Sequence, residues 1–161
     1  MRAYFHRHLN ISISVLFTVL TFFLWACESI DVDTEKNDAV PFAVDNFVDQ
    51  FFHGRGLSKS TDLGNDEYTI TVKDGPTMTL KVISDSYINP YVSLLSYTGH
   101  GETMPPYLAQ DQLPEKLYNY IDGLEMNTEI HDMARYNGTI TVNLTNTTVE
   151  YDTVTGTITE S

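Results

Sequence analysis

The segment EYTITVKDGPTMTLKV, Glu67–Val82, decides the fold because it has the pattern of two β-strands joined by a tight turn. Apolar or aromatic residues alternate with threonine and lysine on both sides of Asp74-Gly75, which is the two-residue period of a strand with one buried face. Asp-Gly between two such runs is a strong short-range signal for a β-hairpin. The segment therefore predicts an antiparallel hairpin with a threonine-rich outward face.

A second hairpin pattern lies in the C-terminal half of the chain. Thr128–Tyr136 and TITVNL at Thr139–Leu144 flank Asn137-Gly138, and Asn146-Thr147 turns the chain toward a further strand. Asn-Gly is favoured in two-residue hairpin turns because both positions need a positive φ. The tetrapeptide TITV also occurs at Thr69–Val72, inside the first hairpin. The two halves of the chain therefore share their strand pattern.

A stretch with helical periodicity precedes each group of strands. VPFAVDNFVDQFF at Val40–Phe52 and LPEKLYNYIDGLE at Leu113–Glu125 align with a shift of 73 residues. Their apolar positions recur at i, i+4, i+7, i+8 and i+11, which is one face of an α-helix. Gly54 suits the end of the first helix. This predicts an α+β fold built as a tandem repeat, in which each half packs one helix on a three- to four-stranded antiparallel sheet.

Residues 1–26 have the features of a lipoprotein signal peptide. Positive charges at the start precede the uncharged, mostly apolar run Ile11–Leu24, which is shorter than the ~20 apolar residues of a membrane span. The run ends in Leu24-Trp25-Ala26-Cys27, which resembles the bacterial lipobox and implies lipid attachment at Cys27. The alternative is an uncleaved N-terminal anchor with an incidental cysteine.

The single cysteine supports the lipoprotein interpretation. An exported chain with one cysteine has no intramolecular disulfide to form, and a thioether to lipid explains the remaining thiol. Several acyl chains give stable membrane attachment where one chain is marginal. Residues 27–38 are acidic and predict a flexible tether, and their acids resemble the surface-export signal of Bacteroidetes lipoproteins. We expect an outer-membrane lipoprotein of the cell envelope, facing either the periplasm or the cell surface.

The charge of the chain narrows the choice of partner. Residues 27–161 contain 7 Lys+Arg against 22 Asp+Glu, a net charge of −15. Nucleic acid is a poor partner for such a chain, because phosphate binding needs clustered cations. The acidity favours solubility and basic partners. Residues 39–161 form one predicted domain, with repeats at about 39–98 and 112–160.

No catalytic or metal-binding motif stands out in the sequence. His53, His100 and His131 lack the spacings of zinc ligands, and neither a G-x-S-x-G elbow nor a phosphate-binding glycine loop is present. A lipid on Cys27 would leave no free thiol for nucleophilic catalysis. We therefore expect no enzymatic activity, no cofactor and no metal.

Two motifs carry a resemblance to a known family. The pattern Y-x-I-x-V-x-D-G at Tyr68–Gly75 and the sequence LPEKLYNYID at Leu113–Asp122 resemble the PepSY-like lipoproteins of Bacteroidetes, which are described as β-lactamase-inhibitor-like. The resemblance covers about Val40–Ile158. It implies a tandem α+β fold and an inhibitor-like binding role, and that role rests on fold analogy.

The connection between the two halves, Ser86–Pro114, is the most distinctive segment for binding. It is long, and it is rich in tyrosine, which is favoured in recognition surfaces. The predicted binding residues share a position on this connection or its flanking strand: Tyr91, Tyr97, His100, Glu102 and Tyr107. These tyrosines could instead cap the core between the sheets.

We expect a non-catalytic binding protein that docks an envelope protein or peptide through its sheet face and loops. An inhibitor-like protein would act by steric occlusion of an exported hydrolase. The alternatives are a small-ligand sensor or carrier, which needs a closed apolar pocket between helix and sheet, and a purely structural envelope lipoprotein.

Overall fold

The structure is a computed structural model that describes residues 39–161. The predictions for residues 1–38, including the signal peptide, the tether and lipid attachment at Cys27, lie outside the described residues. Within residues 39–161, eight strands form one antiparallel sheet in which each strand pairs with its neighbour in sequence. Three helices complete this part of the chain.

The helices are α1 (Phe42–Phe51), α2 (Pro106–Gln112) and α3 (Glu115–Gly123). The strands are β1 (Leu57–Gly64), β2 (Glu67–Val72), β3 (Thr77–Asp85), β4 (Pro90–Thr98), β5 (Ile130–Tyr136), β6 (Thr139–Leu144), β7 (Thr148–Asp152) and β8 (Ile158–Glu160).

The local elements expected from the sequence are found. β2 and β3 form the predicted hairpin around Asp74-Gly75, with Ile70 opposite Met78. Asn137-Gly138 joins β5 to β6 with φ values of 47° and 81°, which a two-residue hairpin turn of this type requires. The two helical periods correspond to α1 and α3, and Gly54 adopts φ 77° just after the first of them.

The prediction of an α+β tandem repeat with one helix on a three- to four-stranded sheet in each half is wrong. Eight strands make one continuous sheet, because β4 pairs with β5 through Ser96–Ala134, Tyr97–Met133 and Thr98–Asp132. The fold is therefore mainly β, with three helices. Continuous pairing satisfies the backbone groups that two separate sheets would leave exposed at their inner edges.

The core lies between one face of the sheet and the helices. Alternate strand residues such as Ile70, Leu80 and Val142 are fully buried, as are Val44 of α1 and Leu117 of α3. All belong to one cluster of buried apolar side chains. Full burial of each such side chain contributes about 1.5–3 kcal/mol. The two-residue period of the strands then places their threonines on the opposite face.

Two polar side chains fill the place where β4 and β5 stop pairing. Gln112, 6% exposed, accepts a hydrogen bond from Leu94 N through Oε1 at 2.7 Å and donates one from Nε2 to Val92 O at 3.2 Å. Arg135 donates from Nε to Leu94 O at 2.8 Å, and its guanidinium also donates to Gln112 O. Because buried backbone groups need partners, these side chains act as a substitute for a paired strand.

Candidate functional site

The face of the sheet opposite the core carries a regular array of small polar side chains, which we call the open face. Its strand register aligns one residue from every strand in a single transverse row. The row is Thr61, Thr69, Thr79, Ser96, Ala134, Thr141, Glu150 and Thr159. Neighbouring strands lie about 4.8 Å apart, so this row is about 34 Å long.

A second row runs beside the first across seven strands. It consists of Lys59, Thr71, Thr77, Thr98, Asp132, Asn143 and Thr148. Cross-strand hydrogen bonds fix several of these side chains: Thr71 and Thr77 are joined at 3.1 Å between hydroxyls, and Thr148 donates to Asn143 Oδ1 at 3.1 Å. Such pairs stabilise the sheet and restrict rotamers, so the surface is ordered before any partner arrives.

Charge is unevenly distributed over the open face. On β2 and β3, Lys81 Nζ lies 3.0 Å from Glu67 Oε1, so the two charges offset each other. Asp132, Glu150 and Asp152 are carboxylates of β5 and β7, and the four described strands β5–β8 contribute neither lysine nor arginine to this face. The C-terminal half of the open face is therefore negatively charged.

A shallow hollow of about 330 Å³ lies in this negative half. It is lined by hydroxyls and carboxylates, from Thr139, Glu150, Asp152, Thr155, Thr157 and Thr159. Backbone hydrogen bonds from Thr155 and Val154 lower the pKa of the Asp152 carboxyl and hold it in its charged form. Its lining suits groups that are cationic and that donate hydrogen bonds. No group of three or more His, Cys, Asp or Glu within residues 39–161 could hold a metal ion.

The loop after β4 places two of the predicted binding residues at one end of the sheet. The His100 Nε2 lies 3.0 Å from Thr77 Oγ1, at the rim of the open face. Glu102 forms a bidentate pair with Arg55, with Nη1–Oε2 at 2.7 Å and Nη2–Oε1 at 3.0 Å. These hydrogen bonds lower the pKa of the Glu102 carboxyl. Arg55 also donates to the carbonyl oxygens of Lys73 and Asp74, so it links three loops.

The three tyrosines predicted to bind a partner lie elsewhere. Tyr97 is 1% exposed on the core side of β4, where burial and the charge of Glu102 raise the pKa of its hydroxyl, and that hydroxyl has no hydrogen-bond partner among the described residues. Tyr91 is 45% exposed and lines a polar groove of about 150 Å³ between the helices and β4. Tyr107 is 80% exposed at the start of α2. The structure thus does not bring the five predicted residues together.

Sequence reasoning anticipated the threonines of the open face and missed its acids. The T-x-T pairs at Thr69–Thr71, Thr77–Thr79 and Thr139–Thr141 give a detectable signal, because both threonines of each pair point to the same face. Glu150 has the same signal, because it lies between Val149 and Tyr151, but Asp132 does not, because a register shift between Ile130 and Asp132 changes the alternation of β5.

Within residues 39–161, none of the helices has both the length and the apolar character that crossing a membrane requires.

Comparison with known proteins gives a fold relationship. No protein-family model matches the chain, and no curated protein matches it significantly. The chain is similar to a solved structure from Bacteroides vulgatus ATCC 8482, described as a "putative periplasmic protein of unknown function". The two share 16% identity with a TM-score of 0.54, and the match covers 83% of this chain and 96% of that one. At this identity the similarity shows a shared fold, and the resemblance to PepSY-like lipoproteins stays a prediction.

Proposed function

We propose that this chain is an exported, lipid-anchored, non-catalytic binding protein whose open face docks an exported protein or peptide with a basic, polar surface. The periplasmic description of the structural neighbour is consistent with an envelope location at a coarse level. The N-terminal sequence pattern adds the expectation of a lipid on Cys27. An inhibitor-like action would follow if the partner were a hydrolase whose active site the bound domain covers.

The observation that carries the proposal is the extent of the open face. One row crosses all eight strands, and strands of about six residues at ~3.3 Å each make the face about 34 by 20 Å. That area is close to the ~800 Å² per partner of a standard protein–protein interface. Small hydroxyl side chains lose little entropy on ordering, and several of those in the array are already hydrogen-bonded to one another.

Charge indicates which partners fit. Asp132, Glu150 and Asp152 give the C-terminal half of the open face a negative potential, which attracts lysine and arginine on a partner. Such complementarity raises the association rate and disfavours acidic partners. Salt screens it, so binding should weaken as ionic strength rises.

The groove between the helices and β4 is a weaker basis for the small-ligand alternative. Its volume of about 150 Å³ is below the ~300–1,000 Å³ of typical ligand pockets. Polar side chains, including Asn46, Gln50 and Asp111, line it, whereas a carrier of apolar ligands needs an enclosed apolar cavity. The larger hollow of about 330 Å³ on the open face is shallow and lined by hydroxyls and carboxylates, so it is not an enclosed apolar cavity either. The geometry therefore favours a macromolecular partner over a small apolar ligand.

A site-specific crosslinking experiment tests the proposal in the envelope of the producing cell. A photo-crosslinking residue at Thr141, in the centre of the long row, should capture a defined protein. The same residue at the exposed Asn119 of α3 serves as the control, because that position lies on a helix and outside the open face. Equal crosslinking patterns from the two positions would contradict docking on the open face.

A charge-reversal pair then tests the chemistry with the purified partner. Glu150→Lys should weaken affinity at least about tenfold, equal to about 1.4 kcal/mol, because it places a cation in the acidic half of the open face. Asp49→Lys makes the same charge change on the exposed side of α1 and should have little effect. If both substitutions weaken binding equally, only the net charge matters and the open face is not the contact surface.

A further inference from the structure

Exposed apolar side chains are concentrated at one end of the sheet. Because the strands are antiparallel and consecutive, the β1–β2, β3–β4, β5–β6 and β7–β8 turns all lie at this end, which we call the hairpin-tip end. Seven of the eight large exposed hydrophobic residues in the described chain lie on or beside these turns. They are Leu63, Ile83, Tyr87, Ile88, Tyr91, Tyr136 and Val154. The eighth is Tyr107, three residues after Met104, whose backbone N–H donates to Ile130 O at the start of β5, so this part of the chain lies at the opposite end.

The β3–β4 turn carries the most prominent of these side chains. Tyr87 is 82% exposed and Ile88 is 96% exposed. The turn is held by a hydrogen bond from Ser84 Oγ to Asn89 O at 2.8 Å. The centroid of the Tyr87 ring lies 4.4 Å from that of Phe42, the first residue of α1. These contacts make a small, ordered apolar projection beside the beginning of the folded domain.

The preceding chain enters the domain at this same end. Phe42 begins α1, so residues 39–41 reach the domain beside the Tyr87 ring. Only 11 residues lie between Cys27 and Ala39, and the 12 Cα-to-Cα steps from one to the other span at most about 43 Å in a fully extended chain. A lipid on Cys27 would therefore hold the hairpin-tip end, where the chain enters the domain, within about 43 Å of the bilayer surface.

We propose that the hairpin-tip end is a membrane-contacting surface, in which Tyr87 and Ile88 enter the interfacial layer of the bilayer that holds Cys27. The proposal rests on the lipid anchor of the proposed function. Tyrosine favours the membrane–water interface because one end of the side chain is apolar and the other is polar, and isoleucine favours the acyl region beneath it. Contact at this end leaves the open face free for a partner.

Charge at the tips identifies the type of lipid surface. Asp66 lies in the β1–β2 turn, and Asp85 lies at the end of β3, where its Oδ1 accepts a hydrogen bond from Ala43 N at 2.7 Å. Both carboxylates would be repelled by anionic headgroups. The surface therefore fits a zwitterionic phospholipid bilayer.

Depth-dependent quenching tests the proposal with the lipidated mature protein, residues 27–161, in phosphatidylcholine vesicles. An acylated Cys27 has no free thiol, so Ile88→Cys provides one site for a polarity-sensitive fluorophore. Tyr107→Cys is the matched control because Tyr107 is also highly exposed, at the opposite end. We expect a blue-shifted emission at position 88 and quenching by nitroxide lipids severalfold stronger than at position 107.

The outcomes separate this inference from the anchor on which it rests. Mass spectrometry of the N-terminal peptide first reports whether Cys27 carries lipid, and its absence overturns both the anchor and the membrane contact. A lipidated protein with equal quenching at positions 88 and 107 overturns the membrane contact alone. Shielding of the position-88 fluorophore in native envelope vesicles but not in phosphatidylcholine vesicles would assign this end to a protein partner, which also overturns the inference.

Discussion

Gln112 is the residue whose replacement should damage the sheet most directly. Its carboxamide accepts from Leu94 N at 2.7 Å and donates to Val92 O at 3.2 Å, in place of the strand that β4 lacks there. Gln112→Met preserves the length of the side chain and removes both hydrogen bonds. The substitution therefore leaves a buried N–H and a buried C=O without their partner.

The cost can be worked out from these two groups. A buried polar group that loses its partner costs about 1–3 kcal/mol, so the two together should lower the free energy of unfolding by about 2–6 kcal/mol. The total free energy of unfolding of a domain of this size is about 5–15 kcal/mol. The melting temperature should fall by about 10 °C, given a few degrees per kcal/mol for domains of this length.

Chemical denaturation and amide hydrogen exchange measure the effect in the full-length chain. Gln110→Met is the control, because Gln110 lies on the same helix and is exposed, so its replacement should change stability by less than about 0.5 kcal/mol. The Leu94 amide should exchange faster in Gln112→Met than in the control. Equal stability of the two variants, with unchanged protection of the Leu94 amide, would refute the role assigned to the Gln112 side chain.

Three further substitutions test other parts of the fold. Gly99→Ala should destabilise the folded protein by about 3 kcal/mol or more, because a Cβ there would overlap the backbone carbonyl of Glu102. Gly123→Ala is the control, because its Cβ would meet open space, and thermal unfolding should show it to be neutral or stabilising. Glu102→Gln should lower stability at pH 7 by less than about 1 kcal/mol, since the ion pair with Arg55 is largely exposed. Arg55 lowers the pKa of Glu102 in the folded state below its unfolded pKa of 4.5. The stability difference between Glu102→Gln and the unsubstituted protein should therefore be present above pH 4.5 and be lost as pH falls through the folded pKa. A stability difference that persists at about pH 2 would contradict this account. Asp85→Ala removes an acceptor for the first turn of α1 and should cost about 1 kcal/mol in urea unfolding, with no loss contradicting the capping role.

Local pattern predicted the elements that depend on neighbours in sequence. The hairpin of β2 and β3 and the Asn137-Gly138 turn follow from alternation and turn chemistry, which act within a few residues. The helix α2 escaped prediction because it is short and one of its buried positions is Gln112, a polar residue. The pairing of β4 with β5 depends on residues almost 40 positions apart, such as Ser96 and Ala134, and no local pattern encodes it.

The candidate site also combines features that follow from neighbouring residues with contacts between distant ones. The outward threonines were predictable from the two-residue period, while the pairing of Arg55 with Glu102, 47 residues apart, was not. Tyr97 was expected at a surface and lies in the core, because the β4 register shifts between the partners of Thr79 and Leu80. That bulge changes the alternation after Leu94, so Tyr97 points inward, and a single strand read alone gives no sign of it.

The sequence-ordered pairing of the sheet also affects how the chain can fold. Within residues 39–161, every strand hydrogen-bonds only to strands adjacent in sequence, and all of these pairs except β4–β5, which spans almost 40 residues, join strands connected by short turns. A chain threaded N-terminus first through a translocation channel could therefore assemble vectorially, adding one strand at a time to a growing edge. Pairing between strands joined by short turns favours fast folding and shortens the exposure of unpaired edges to aggregation. Strand β8, at one edge of the described sheet, spans only Ile158–Glu160, and an edge this short is a poor template for pairing with another copy.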